Sequence, residues 1–500
     1  MHRVLCSLVL APVLLAGCGS AVVNPVSGQS ERSVMSEQAE IAEGQKAHKQ
    51  VLQEYGVVND ARLQAYVNDL GQKLSKLSHR NQLQWHFTLL DSPEINAFAL
   101  PGGYVYVTRG ILAYMDNEAD LAGVIGHEIG HVTARHGAQR ATREADAGLG
   151  VLAATVLGAV LESQGVSGAG RVASQVSQTA ASGYIASYGR DQELQADGLG
   201  AEYLSRSSYD PRNMINVITV LKNQERFAAD QARADGRAPP AQNSWLASHP
   251  SNDQRLQMIT QLAAKYPVQG KGAYSDEGRA RYLQAINGMI FGETADQGLT
   301  RGRNFYHAPL GIAITAPGNW KIQNDAAQLT LVNAERDAAL VVKTVPAKAG
   351  KTHDEVIRTL LKPDQGRTDR LVINGLQATR FVGARNNAQG KAQALEVTLV
   401  SGPGNTIFLL SYTAKDAAAL LRARRQLQEA EGSFRALTAA DRAAARPWVI
   451  KTVPYPRGGF AEMARKSPLE NAESQLRLIN GFYGGGEPRP GQLVKTIDAS

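Results

Sequence analysis

His127-Glu128-Ile129-Gly130-His131 lies in an apolar run from Asp116 to His136 that repeats with the period of a helix. Four residues turn about 400°, so the two imidazoles leave nearly the same face, one turn apart. That separation lets two nitrogens reach one ion. Glu128 projects about 100° round from His127 and cannot be a third ligand on that face, but it can contact a water on the metal. The H-E-x-x-H spacing therefore predicts zinc-dependent hydrolysis with Glu128 as general base. Gly137 reads as the C-cap of this helix. His136, five residues past His131, is expected to point away from the pair, as a structural or helix-end residue.

A catalytic zinc takes three protein ligands and keeps one position for water. The chain has two cysteines, Cys6 and Cys18, both at its very start, so thiolate ligands are excluded. The best third ligand is Glu193, in Glu193-Leu194-Gln195-Ala196-Asp197 on a helix predicted from Arg190 to about Ser205. Asp197 lies one turn further along and is placed to accept the free N–H of a zinc histidine. One Zn²⁺ per chain is expected. His249, in Ser248-His249-Pro250, has three readings: a fourth ligand in a closed resting state, a donor to the transition state, or a structural loop histidine. Arg255 reads either as an oxyanion stabiliser or as a salt-bridge partner.

Upstream, Glu37 to about Leu77 has a helical pattern, and Leu83 to Leu90 alternates like a strand. In Asn96-Ala97-Phe98-Ala99-Leu100-Pro101-Gly102-Gly103-Tyr104-Val105-Tyr106-Val107, Pro101-Gly102-Gly103 is a turn and Tyr104 to Val107 a strand. That strand is either an edge that pairs with extended substrate, making Asn96, Tyr104 and Val105 substrate-binding, or a plain core strand. Helices follow at about Asp210 to Ala229 and Asn252 to Lys265, separated by a polar, Pro-containing loop.

Here the sequence resembles a family: gluzincin metallopeptidases related to the CAAX prenyl protease, in particular their periplasmic, BepA-like lipoprotein members. Five elements carry the resemblance, which covers about Glu37 to Leu262. They are Asn96-Ala97-Phe98-Ala99 with Pro101-Gly102-Gly103, the motif at 127 to 131, Glu193-x-x-Ala196-Asp197, Tyr209-Asp210-Pro211, and Ser248-His249-Pro250 with Arg255. The resemblance implies a mainly helical, thermolysin-like zinc peptidase core with a small sheet. It also implies endopeptidase activity on unfolded or misassembled envelope proteins. Such members often carry a C-terminal helical repeat array, and no such repeat is found in this sequence.

The N-terminus fits an envelope protein. Arg3, the apolar run Val4 to Leu15 and Leu15-Ala16-Gly17-Cys18 resemble a bacterial lipoprotein signal, too short to span a bilayer. Residues 1–17 then form the signal peptide, Cys18 carries the lipid, and 18–35 form a polar tether. Gly19 in place of the aspartate associated with inner-membrane retention points to the outer membrane, periplasmic face. Several acyl chains would anchor the chain stably.

Five hundred residues predict two to four domains, in an α+β multidomain fold. The net charge of +7 comes without a basic stripe, so no nucleic acid partner is expected. The peptidase domain is assigned 36–298, including a Gly/Ala/Ser-rich segment at 145–187 whose most apolar part is too short to cross a membrane. Residues 299–440 read as an α+β accessory domain whose outline resembles the PsbP-type fold. Residues 446–498 read strand, helix, helix, strand. Leu478-Ile479-Asn480-Gly481 and Pro490-Gly491-Gln492-Leu493-Val494-Lys495 resemble the end of a LysM-type repeat. The usual Gly-Asp-Thr is missing, so the block is either a peptidoglycan-binding module or a structural cap. The competing functional class is a chaperone or scaffold lipoprotein for outer-membrane assembly that seldom cleaves.

Overall fold

A computed structural model of the chain describes residues 20–146, 188–234, 236, 249, 253–266, 277–324, 328–386 and 392–499. Cys18 and residues 147–187 of the Gly/Ala/Ser-rich segment lie outside the described residues. The chain forms two compact units, one reaching Ala285 and including Arg477–Gly486, the other Ile286–Leu476 with Glu487 onward.

The first unit opens with a hairpin, β1 (Ser20–Val23) and β2 (Ser30–Ser33). The hairpin lies within the stretch 18–35 that reads as a polar tether. Its polar side chains find partners: Asn24 Nδ2 donates to Ala134 O (3.3 Å), Glu31 accepts from Gln139, and Arg32 pairs with Asp146. The helical stretch after it is two helices, α1 (Glu37–Tyr55) and α2 (Ala61–Ser75). Gly56, at φ 69°, ends the first, and Asp60 caps the second by accepting from the backbone N–H of Arg62 and Leu63. Leu63, Val67, Leu70 and Leu74 recur at three- and four-residue steps on α2 and are buried. Each contributes about 1.5–3 kcal/mol of transfer free energy.

A three-stranded sheet follows: β3 (His86–Leu90), β4 (Ala97–Leu100) and β5 (Tyr104–Thr108), in the order β3-β5-β4. β5 is the middle strand, parallel to β3 and antiparallel to β4. All five of its residues are buried. The edge reading of Tyr104 and Val105 is therefore corrected: their backbone is paired on both sides, and the edge beside them is β4.

The helix carrying the motif is α4 (Glu118–Thr133), preceded by the short α3 (Arg109–Tyr114). Asn117 caps α4 by accepting from Asp120 N at 2.8 Å. Every residue of α4 is buried, which makes it the central helix of its unit. It does not end at Gly137. Arg135 takes φ 59° and breaks the helix, which resumes over 136–146. Arg135 is held there by Glu40, itself paired with Arg80 in a buried trio.

α5 (Arg190–Arg206) and α6 (Asn213–Ala234) pack on α4, and α7 (Asp253–Ala263) packs on α5 and α6. α6 continues helically to Ala234, where a loop was expected to begin near Ala228. α4 and α5 cross at small residues. A Cβ on Gly130 would lie 3.0 Å from Ala196 O, and one on Gly200 would lie 3.2 Å from His127 N. This close approach lets side chains of α5 reach those of α4.

The second unit is built on a seven-stranded antiparallel sheet. Gln365–Ile373 and Leu376–Asn386 form a hairpin of this sheet. Asn374 and Gly375 both take positive φ at its two-residue turn. The helix Ala417–Gly432, capped by Asp416, buries Ala423 and Leu427 in the core beneath the sheet. In the C-terminal block, Trp448–Pro454 and Leu493–Ala499 pair antiparallel around two short helices, and Ile290–Phe291 joins Trp448–Pro454 as a third strand. Among the described residues, no helix is long and apolar enough to cross a membrane.

Candidate metal centre

α4 presents His127 and His131 on one face, and α5 presents Glu193 against them. His249 enters from the segment before α7. The four are fully buried, and one donor atom from each lies within 4.8 Å of all the others. His127 Nε2 is 3.0 Å from His131 Nε2 and 3.2 Å from His249 Nδ1. Glu193 Oε1 is 2.9 Å from His249 Nδ1 and 3.5 Å from His131 Nε2. Ligand atoms about 2.0–2.1 Å from a tetrahedral zinc are separated by roughly 3.4 Å. The observed spacings bracket that value.

The proton inventory points the same way. His127 Nδ1 lies 2.9 Å from the Asp197 carboxylate, which accepts but cannot donate, so Nδ1 carries a proton and donates it there, and Nε2 is the atom turned to the cluster. Arg255 fixes Asp197 through two hydrogen bonds of 2.7 and 2.8 Å. It also reaches Glu193 Oε2 at 2.9 Å and the carbonyl of His249 at 3.1 Å. Arg255 thus ties together both α5 carboxylates and the His249 segment. It stands among the acidic side chains that hold the cluster.

Burial raises the energy of each charged form here, and the neighbours decide the balance. Burial pushes Glu193 up, but His249, His127 and Arg255 outweigh it and hold its pKa below the ordinary value. Asp197 is likewise lowered, by His127 and Arg255 against burial. Burial, with His127 and His249 beside it, drives His131 well below the usual histidine range. A neutral imidazole is the form that binds metal. His249 is displaced upward, because Glu128 and Glu193 more than offset burial. Its Nε2 lies 3.6 Å from Glu128 Oε1.

Two neighbours were not read from the sequence. His136 was expected to point away, but the left-handed Arg135 turns the chain and returns it to His131, Nδ1 to Nδ1 at 2.9 Å. Its Nε2 meets Gln195 Oε1 at 2.9 Å, and burial lowers its pKa to about 4. Tyr188, just before α5, stacks on His131 with ring centroids 4.1 Å apart and on His249 at 5.5 Å. Tyr188 also lines a small cleft beside His131, together with Ala99 and Leu100 of β4. Asn96 stands immediately before β4. Its backbone N–H and carbonyl both bond Thr108, which pins the start of that strand.

Residues 61–263 match the model of Peptidase family M48. The match spans both helices of the cluster. A beta-barrel assembly-enhancing protease of Yersinia pestis is 32% identical over 50% of this chain and 51% of the relative. One from Escherichia coli (strain K12) is 32% identical over 50% of this chain and 49% of its own length. The mitochondrial metalloendopeptidase OMA1 of Schizosaccharomyces pombe is 30% identical over 47% of this chain and 64% of its own. The chain spans about half the length of the first two. The family match and the metalloendopeptidase names support a zinc metalloendopeptidase, and the buried cluster has the donor set that zinc takes.

Proposed function

We propose that the chain is a zinc endopeptidase of the bacterial envelope, with His127, His131 and Glu193 as the metal ligands and Glu128 as the general base. The observation that carries this reading is the pair of imidazole nitrogens 3.0 Å apart, both aimed inward in a buried site with Glu193 beside them. Both nitrogens are within reach of one cation placed between them, which would be bound by the lone pair of each.

Bound zinc would supply Lewis acidity that acidifies a water and polarises the scissile carbonyl. The Glu128 carboxylate takes a proton from the attacking water as its oxygen bonds to the carbonyl carbon. It then returns the proton to the amide nitrogen as the C–N bond breaks. Asp197 holds the proton on His127 Nδ1 throughout, and Arg255 holds Asp197. Substrate adds as an extended strand along β4, the sheet edge that lines the cleft beside His131. His249 completes a closed, four-donor resting cluster and swings aside when substrate arrives.

Glu128→Gln should retain zinc and lose cleavage of an unfolded protein by about 10²–10⁴-fold. Cleavage at the parental rate would remove Glu128 from the mechanism. The substrates are taken to be unfolded or misassembled envelope proteins, reached from an outer-membrane lipid anchor on Cys18. The four-donor closure favours a second reading, a chaperone or scaffold that seldom cleaves. Rescue of envelope defects in a deletion strain by the Glu128→Gln form would select it.

A further inference from the structure

We infer that His136 and Gln195 are positioning residues that set the tautomer of His131 and thereby decide whether the cluster accepts a metal. The inference rests on the proposed zinc site and adds a requirement to it.

Three groups stand in a row: Gln195 Oε1, His136 and His131. His136 meets Gln195 through Nε2 at 2.9 Å and His131 through Nδ1 at 2.9 Å. An amide oxygen only accepts, so Nε2 of His136 carries the proton and donates it to Gln195. A neutral His136 then has a lone pair on Nδ1 and must accept there. The donor is His131 Nδ1–H. The proton of neutral His131 is used on that side, and Nε2 is left as a lone pair aimed at His127 and Glu193.

The row has one other self-consistent arrangement. If the Gln195 amide turned over and donated through its nitrogen, His136 would carry its proton on Nδ1 and donate to His131. His131 would then hold its own proton on Nε2, inside the cluster, where it blocks a ligand position. Gln195 is part of α5, two residues from Glu193, and so the helix that brings the carboxylate also carries the amide that selects the tautomer. Asp197 does the same for His127 from the same helix. α5 thus aims both imidazoles of α4, one directly and one through His136. Outer partners of metal histidines are worth about 10–100-fold in metal affinity.

The test is zinc affinity of the full chain, measured by competition with a chromophoric chelator, with apo-protein unfolding as the folding control. His136→Asn places an amide oxygen near the position of the lost Nδ1, whereas His136→Gln and His136→Ala do not. The expected result is about a 10–100-fold loss for Ala and Gln, with Asn restored to within a few-fold of the parent. Gln195→Glu keeps an acceptor and should bind zinc as the parent does. Gln195→Met removes it and should weaken binding, and ¹⁵N chemical shifts should show His131 protonated on Nε2 in the apo form. Parental affinity in His136→Ala, or in Gln195→Met if His136→Ala does not fold, overturns the inference. So does an Asn variant as weak as Ala. A parent chain that binds no zinc would instead overturn the proposed function.

Discussion

Glu193 and Glu431 are both carboxylates buried among polar side chains, one in each compact unit, and their surroundings answer them differently. Glu431 receives Arg380 Nη2 at 2.8 Å and Thr398 Oγ1 at 2.7 Å on one oxygen, and the Tyr412 hydroxyl on the other. Every neighbour donates. Burial and the nearby Glu431 push the Tyr412 phenol upward, which keeps it a donor. Glu193 faces His249, His131, His127 and one cation, Arg255. Of these imidazoles, His131 is held well below the usual histidine range by burial, and His127 donates from Nδ1 to Asp197 and turns Nε2 inward. A buried network that closes on itself is a structural part. One whose acceptors converge on a common point is incomplete without a cation, and that distinction marks the site more firmly than burial does.

The largest way to break the comparison is to remove each carboxylate. Glu193→Ala should lose tightly bound zinc and drop proteolysis to background, while Glu431→Ala should leave zinc content and cleavage unchanged. Zinc lost from the Glu431 variant would show that the second network serves the first. Next in size is the response to the metal. Zinc at about 100 times its Kd should stabilise the parent by roughly 2.7 kcal/mol. Hydrogen exchange should locate the added protection in α4 and α5, and not in the strands bearing Arg380 and Thr398. Equal protection of those strands would remove the contrast. Smaller again, Glu431→Gln leaves a donor facing donors and should cost about 1–3 kcal/mol of stability, independent of zinc. A neutral effect on thermal unfolding would mean that the network is not closed.

How much of this was legible depends on how far the information lies along the chain. His127, Glu128 and His131 share one helix, and Glu193 and Asp197 another, so helical geometry alone relates them. His136 was misplaced because an unbroken helix would turn it away from His131, and nothing in the local periodicity announces a left-handed arginine. That conformation is imposed by Glu40, ninety-five residues away. The position of β5 was misread for a different reason. Strand order is a tertiary property, yet Tyr104 to Val107 is apolar without alternation, which suits a strand buried on both faces. Asn374-Gly375, by contrast, is a hairpin signal that the sequence carries locally, and the structure places a two-residue turn there.

The glycines of α4 and α5 were also readable, as small residues at four-residue steps: Gly126 and Gly130 on one helix, Ala196 and Gly200 on the other. Their meaning needed the partner helix. Gly130→Ala would set a methyl 3.0 Å from Ala196 O, a backbone atom that gives way only if α5 moves. Because Glu193 travels with α5, this substitution should cost about 1–3 kcal/mol and weaken zinc as well. Gly198, on the same helix, has open space around its would-be Cβ except for Leu262 Cδ2 at 3.6 Å. Gly198→Ala should therefore raise stability by about 0.5–1 kcal/mol through helix propensity and leave zinc affinity alone. Thermal unfolding with and without zinc separates the two. If Gly130→Ala binds zinc as tightly as Gly198→Ala does, the close crossing of α4 and α5 is not what sets the donor spacing.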